Sequence, residues 1–247
     1  MGRSADPPHR PVRDTERVLI RRIPGGRAAA AACCLIAAAA GCGIVGPQSD
    51  KSVFYQVPQR VTQLVVQDSA GDVHVSTGSG SAVGVTEHQT YRGSPPASTH
   101  ALSGGVLTLA YTCPSSDCGI DYTVTVPAGL AVQVDAQAGD VTLTGLDGAL
   151  QVRADAGDVR ATGLGSSTAN LVAGAGDVTL GFDAAPANLS VQADAGDVRI
   201  TLPGTVGYAV TATADAGDTH VTVPTSPGSS HVVKAVADAG DVSVTAG

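Results

Sequence analysis

No tryptophan occurs in the 247 residues, there is one Met, and aromatics make up 3%. A compact globular core of this length draws on large side chains, so the composition points instead to thin layers filled by Val, Ala and Gly. Basic residues are scarce beyond the N-terminal region. After Cys42 there are 7 Lys and Arg against 19 Asp and Glu, so 7 − 19 = −12. That balance excludes a nucleic-acid binder, which needs a basic footprint, and it disfavours lying on anionic headgroups. No stretch carries a sustained 3.6-residue period, which excludes a helical domain. Catalytic signatures are absent: there is no Gly-x-Ser-x-Gly elbow, no phosphate loop ending in Gly-Lys-Ser/Thr and no His-Glu-x-x-His.

The longest apolar run, Ala28 to Ala40, is too short to span a bilayer, which takes about 20 residues, but it suits a signal-peptide core. It follows a basic stretch ending at Arg27 and closes in Ala39-Ala40-Gly41-Cys42-Gly43. This resembles the bacterial lipobox, in which small residues precede a Cys that is lipidated and becomes the mature N-terminus. Ala39 departs from the Leu preferred three residues before the Cys. The reading is a signal peptide over 1–41, lipidation at Cys42, a tether over 42–58 and a repeat domain over 59–247. An ordinary signal peptide or an uncleaved anchor is the alternative. It places the protein on the extracytoplasmic side of a cell membrane. Cys113 and Cys118 remain; in an oxidising compartment this close pair is expected to form a disulfide.

What the chain has in abundance is one tetrapeptide, Ala-Gly-Asp-Val, and its variants. Gly-Asp pairs fall at Gly139-Asp140, Gly157-Asp158, Gly176-Asp177, Gly196-Asp197, Gly217-Asp218 and Gly240-Asp241, with an earlier copy at Gly71-Asp72. A period of about 20 residues is the mark of stacked, near-identical structural units. Side-chain parity reads each unit as two strands. After the Gly-Asp, Val141, Val159, Val178, Val198, Thr219 and Val242 form one inward column. Leu143, Ala161, Leu180, Ile200, Val221 and Val244 form the next. Before the Gly, columns such as Val134-Ala136, Val152-Ala154 and Leu171-Ala173 also point inward and shrink to Ala as the corner approaches. The expected fold is all-β: a β-solenoid, or single-stranded β-helix, of ~20-residue coils. A β-sandwich with a hairpin at each Ala-Gly is the alternative. The last coil, at Ser243-Val244-Thr245, is expected to leave an open edge.

The strand Asp121-Tyr122-Thr123-Val124-Thr125-Val126-Pro127-Ala128-Gly129-Leu130, running into this ladder, resembles a bacterial family of putative adhesins with β-strand repeats. So does the earlier Val65-Val66-Gln67-Asp68-Ser69-Ala70-Gly71-Asp72-Val73. The resemblance covers about residues 59–247. It implies a right-handed β-helix-like fold on exported, often membrane-tethered proteins, with no catalytic residues to carry over.

Two acidic columns are the only repeating polar constellation. One is Asp72, Asp140, Asp158, Asp177, Asp197, Asp218 and Asp241; the other is Asp155, Asp194, Asp215 and Asp238. Each Asp is expected to accept backbone N–H bonds at its turn. Calcium bridging the columns from Asp140 onward is the competing reading, although the Gly-Gly-x-Gly-x-Asp nonapeptide is absent. No other cofactor is implied. The outward face carrying Thr144, Arg160, Thr162, Arg199, Thr201 and Thr222 is the candidate binding surface, with Arg160 and Arg199 softening the acidic charge. The functional expectation is a non-enzymatic, lipid-anchored envelope module that binds a surface protein or polysaccharide, or spaces other components. The alternatives are an accessory part of envelope-stress sensing or export acting through a protein partner, a calcium-binding repeat protein, and a polysaccharide-acting enzyme.

Overall fold

The structure, a computed structural model, describes residues 47–247, and every regular element among them is a β-strand. In chain order these are β1 Ser49–Val57, β2 Gln63–Asp68, β3 Val73–Thr77, β4 Val83–Tyr91, β5 Ala97–Ser103, β6 Val106–Thr112 and β7 Cys118–Val126. The repeats follow as β8 Ala131–Ala136, β9 Val141–Thr144, β10 Leu150–Ala156, β11 Val159–Leu164, β12 Thr168–Ala175, β13 Val178–Phe182, β14 Asn188–Ala195 and β15 Val198–Leu202. Last come β16 Ala209–Ala216, β17 Thr219–Val221, β18 Val232–Ala239 and β19 Val242–Ala246.

Each Gly-Asp corner joins a strand of one sheet to the next strand of the other. The first sheet runs β1-β4-β7-β3-β9-β11-β13-β15-β19-β17, and the second runs β16-β18-β14-β12-β10-β8-β2-β6-β5. Within the repeats all pairing is parallel, and the first inward column is in step: Val141↔Val159, Val159↔Val178, Val178↔Val198 and Val198↔Val242; the register shifts once, between Ala161 and Leu164. The second sheet matches, with Val134↔Val152, Val152↔Leu171 and Leu171↔Val191. Strands flanking a corner therefore do not pair with each other, so the hairpins of the alternative sandwich reading are absent. The inward columns read from parity form one continuous core. Val141, Leu180, Val198, Val134 and Ala193 are buried, as are the residues above and below them. Burying each Val- or Leu-sized side chain contributes on the order of 1.5–3 kcal/mol, so every added layer stabilises the stack by covering the one before it.

Two features depart from the sequence reading. The region expected to be tether contains β1, which pairs antiparallel with β4 from Ser49↔Tyr91 to Val57↔Val83. Its alternation Val53-Tyr55-Val57 supplies the inward face. The second departure is the order of layers. β18 and β19 insert between β14/β15 and β16/β17, so the chain's last repeat is interior and the expected open edge at Ser243-Val244-Thr245 does not exist. The inward columns give the reason. Val233, Ala235, Ala237, Val242 and Val244 are fully buried, whereas the outermost layer carries Thr219 in the Val column and leaves Val221 exposed. The layer with the least apolar column sits at the end, where a polar inward residue still meets water.

At the other end the repeat breaks. β7 takes antiparallel β4 as its outer neighbour, and β5 closes β6 antiparallel. The β6–β7 connection has a Cys113–Cys118 disulfide, Cα atoms 5.7 Å apart, where the other layers have Ala-Gly-Asp.

The corners leave no room for a Cβ. One built on Gly157, whose φ is +123°, would lie 2.2 Å from the Gly139 carbonyl oxygen. Gly157→Ala is therefore expected to destabilise the protein by at least about 3 kcal/mol, combining strain and clash. Gly80→Ala, where an added Cβ meets nothing within 4 Å, is expected to be neutral. Denaturant titration of both variants checks this.

Candidate functional site

The corner geometry explains the Asp that follows each Gly. At every Gly-Asp corner but that of the end layer, the Gly and the residue after Asp donate forward to the next layer: Gly139 N–H to Ala156 O at 3.1 Å and Val141 N–H to Asp158 O at 2.9 Å. The Asp N–H between them points back, toward the previous layer. The Asp side chain of that previous layer accepts it. Asp72 N–H donates to Asp121 Oδ1 at 3.0 Å, Asp140 to Asp72 at 2.9 Å, Asp158 to Asp140 at 2.9 Å, and Asp177 to Asp158 at 2.8 Å. Asp197 then donates to Asp177 at 2.9 Å, Asp241 to Asp197 at 2.8 Å and Asp218 to Asp241 at 2.8 Å. The expectation of a turn-binding Asp thus holds in kind, but the donor lies in the next layer rather than in the same turn.

The second carboxylate oxygens face outward. Those of Asp177 and Asp197 are joined by Arg199, at 2.9 and 2.5 Å. The Asp197 N–H, and after it Arg199, holds the Asp177 carboxyl below its usual range. Arg160, two layers earlier in the same row, makes no ion pair among the described residues. The other column stays outside the ladder; Asp155 pairs with Arg153 at 3.1 Å, and Asp194, Asp215 and Asp238 are exposed. Among the described residues no three His, Cys, Asp or Glu side chains are placed to hold a metal ion.

The residues of the candidate binding surface share the outer face of the first sheet. Arg160 sits between Thr142 and Thr179, and Thr162 beside Thr144. Arg199 lies between Thr179 and Ser243, and Thr201 between Gly181 and Thr245. Thr222 follows β17, its N–H bonded to Val244 O. His74 and His220 are exposed in the same rows. Cys42 lies outside the described residues.

One buried polar cluster escaped the sequence reading. Asp68 occupies the inward position that is Ala136, Ala154, Ala173 and Ala193 in neighbouring layers. It is 2% exposed, and neither carboxylate oxygen has a hydrogen-bond partner among the described residues. The nearby Tyr111 hydroxyl is committed to Ala70, donating to its carbonyl and accepting from its N–H at 2.6 Å each. The Tyr122 hydroxyl is buried and unpartnered too. Glu87, at 1% exposure, accepts from Tyr55 at 2.8 Å and Gln89 at 2.9 Å. Burial pushes the Asp68 carboxyl up to about 7; the Asp121 and Asp72 charges add to the rise, and the Tyr111 hydroxyl and Ser69 N–H oppose it without making a well-formed bond. Burial likewise raises Tyr111 to about 12 and raises Tyr122. The signal was available in parity, since Leu64-Val66-Asp68 puts a carboxylate in an apolar column.

Two predictions follow from this geometry. Asp197→Ala removes a charged acceptor from one N–H and an Arg199 partner, and is expected to cost about 1.5–3 kcal/mol; Asp197→Asn, which keeps an acceptor oxygen, is expected to restore most of that in denaturant titration. For Asp68 the folded-state value lies above the unfolded one near 3.8, so the folded protein binds the extra proton. Stability is then greatest below pH ~4, falls as pH rises toward 7, and is flat beyond, by up to about 4 kcal/mol. Asp68→Ala is expected to abolish that slope and to be more stable than the parent at pH 8, measured by unfolding at pH 5 and pH 8.

Comparison with known proteins agrees with this architecture. No curated protein sequence matches the chain. Among solved structures, a "putative cell adhesion protein" from Clostridium sporogenes superimposes with a TM-score of 0.52 at 12% identity, covering 81% of this chain and all of that one. A "putative adhesin" from Bacteroides fragilis gives 0.43 at 14% identity, covering 79% and 97%. A "putative lipid binding protein" from Parabacteroides distasonis gives 0.39 at 11%, covering 82% and 97%. The first shows a shared fold and no more. The sequence profile described as Toastrack DUF4097 matches residues 46–245, and the chain belongs to that family.

Proposed function

We propose that the protein is a non-enzymatic binding module of the cell envelope, its strands winding as a right-handed β-helix. In this reading residues 1–41 are a cleaved signal peptide, Cys42 carries the lipid anchor, and the domain stands on the extracytoplasmic side. The observation that supports it is the outer face of the first sheet, whose rows run in register except for one shift between Ala161 and Leu164. Thr144, Thr162, Thr201 and Thr222 repeat there beside Arg160 and Arg199, with strands ~4.8 Å apart. Hydroxyls repeated at one spacing suit a ligand that is itself repetitive, such as a surface polysaccharide. The adhesion descriptions of the structural neighbours are in keeping with a binding role.

The triple variant Thr144→Val, Arg160→Ala, Thr162→Val tests the face. Co-sedimentation of the protein with isolated envelope polysaccharide is expected to weaken at least about tenfold, since each lost hydrogen bond to a charged or polar group contributes about 1 kcal/mol or more. Undiminished binding by the variant would rule this face out, and a parent that binds no envelope fraction would favour a spacer.

A further inference from the structure

The two ends of the stack are finished differently. At the β1/β5 end the Tyr55 and His100 rings stack across the core, centroids 4.5 Å apart, and cover it. At the β16/β17 end nothing among the described residues plays that part over the strand centres. Tyr208 and Val223 fill the corner beside the loops. The inner columns there are Val210, Ala212, Ala214 and Val221, which are only partly covered. Ala is too short to roof a core.

The backbone of this end is also partly unfilled: segment 224–226 bridges Tyr208 on the open side, with Tyr208 N–H donating to Pro224 O at 2.9 Å and Ser226 N–H to Tyr208 O at 2.7 Å, and the strand beyond Tyr208 has no such neighbour among the described residues. Ala209 N–H donates to His231 O at 2.9 Å, so residue 209 faces β18. Along a parallel strand alternate residues face opposite neighbours, so Val210, Ala212 and Ala214 turn their N–H and C=O groups to the open side. At the corner, Asp218 is the last member of the Asp ladder. Its own N–H is bonded to Asp241, and among the described residues no further layer donates to its carboxylate.

We propose that a second copy of this chain covers the β16/β17 end across a two-fold axis, β16 pairing antiparallel with β16 and β17 with β17. This arrangement suits both charge and packing. Antiparallel pairing over residues 210–214, beyond the 224–226 segment, sends the two Asp218 corners to opposite ends of the contact, so the two carboxylates do not meet. It also sets one apolar inner column on another. A head-to-tail copy would instead lay that column against the inner residues of β5, Ser98, His100 and Leu102, two of which are polar, and over the Tyr55–His100 roof. The contact is isologous and therefore closed, giving a dimer and not a filament.

The test uses the full-length chain in mild detergent. Light scattering behind size exclusion, from micromolar up to about 100 µM, is expected to show a dimer whose unfolding midpoint rises with concentration. Two variants act on the edge alone. Ala212→Lys puts a charge into the contact that the partly exposed site tolerates in a monomer, and Ala212→Pro removes one outward donor without touching a bond to β18. Both are expected to be folded monomers by circular dichroism, with the dimer weakened at least about tenfold. A parent that is monomeric throughout overturns the proposal. So does a dimer that survives both variants, which would lie on another surface. Slow amide exchange at residues 210, 212 and 214 in a monomer would also overturn it, and would mean that residues 1–46 supply the cover.

Discussion

The geometry of the Gly-Asp corner is what the rest of the structure depends on. A chain that leaves one sheet and enters the other in two residues turns one backbone N–H against the direction of all its neighbours. In the regular layers that donor belongs to Asp. The corners are exposed or half-buried, so an unmet donor would be left to water at a modest cost. The carboxylate below removes this cost through a charge-assisted bond. The same column brings like charges to ~4.8 Å, where repulsion is about 0.9 kcal/mol at water's dielectric. A hydrogen bond to a charged group contributes roughly 1.5–3 kcal/mol, so the ladder is favourable even before Arg199 links Asp177 to Asp197. Gly precedes Asp because the carbonyl of the layer below occupies the place of its Cβ. The two residues answer two separate demands of one turn, which is why they travel together.

The ladder gives the stack a direction. Every Asp N–H points toward Asp121 and every carboxylate toward Asp218, so a layer is accepted only in one orientation. Direction does not determine order, however. Any Gly-Asp layer satisfies the one beneath it equally well at the corner, and the choice falls to the inward columns. Val242 and Val244 against Thr219 and Val221 is the difference that places the last repeat inside and the fifth outside. A hydroxyl in the Val column between two layers would need a partner that neither offers. At the end of the stack it has water.

This marks the limit of what the sequence carried. Strand positions and the buried face of each repeat were legible because parity and period report on single strands. The all-β class and the turn role of Asp followed from the same pattern. Layer order was not legible: six repeats with one pattern are interchangeable to any periodicity argument, and only a comparison of Thr219 with Val242 would have raised the question. Strand β1 was missed because Gly46-Pro47 and the polar residues after it read as tether, while Val53, Tyr55 and Val57 have their pairing partner 26 or more residues away in β4. The Thr and Arg residues of the outer face lie in the rows that parity assigns them; of the two arginines expected to soften the acidic charge, Arg199 pairs with Asp177 and Asp197, and Arg160 forms no ion pair among the described residues.

A stack of equivalent layers constrains where specific chemistry can reside. On the regular faces each position recurs every ~4.8 Å, so a compact ligand would find several nearly equal sites and no preferred one. Such a face discriminates only among ligands that repeat as it does. Any interaction with one partner in one orientation needs a place where equivalence breaks, and the domain has few. One is the region around Asp68, Tyr111, Tyr122 and Glu87, where carboxylates stand in an otherwise apolar interior. A carboxylate kept at an Ala position lowers stability near neutral pH, so its retention calls for a reason other than stability. The other is the β16/β17 end, where the columns run out. Two kinds of recognition are thus separated by the fold itself: extended and repetitive ligands along the face, single and oriented ones at the places where the repeat stops.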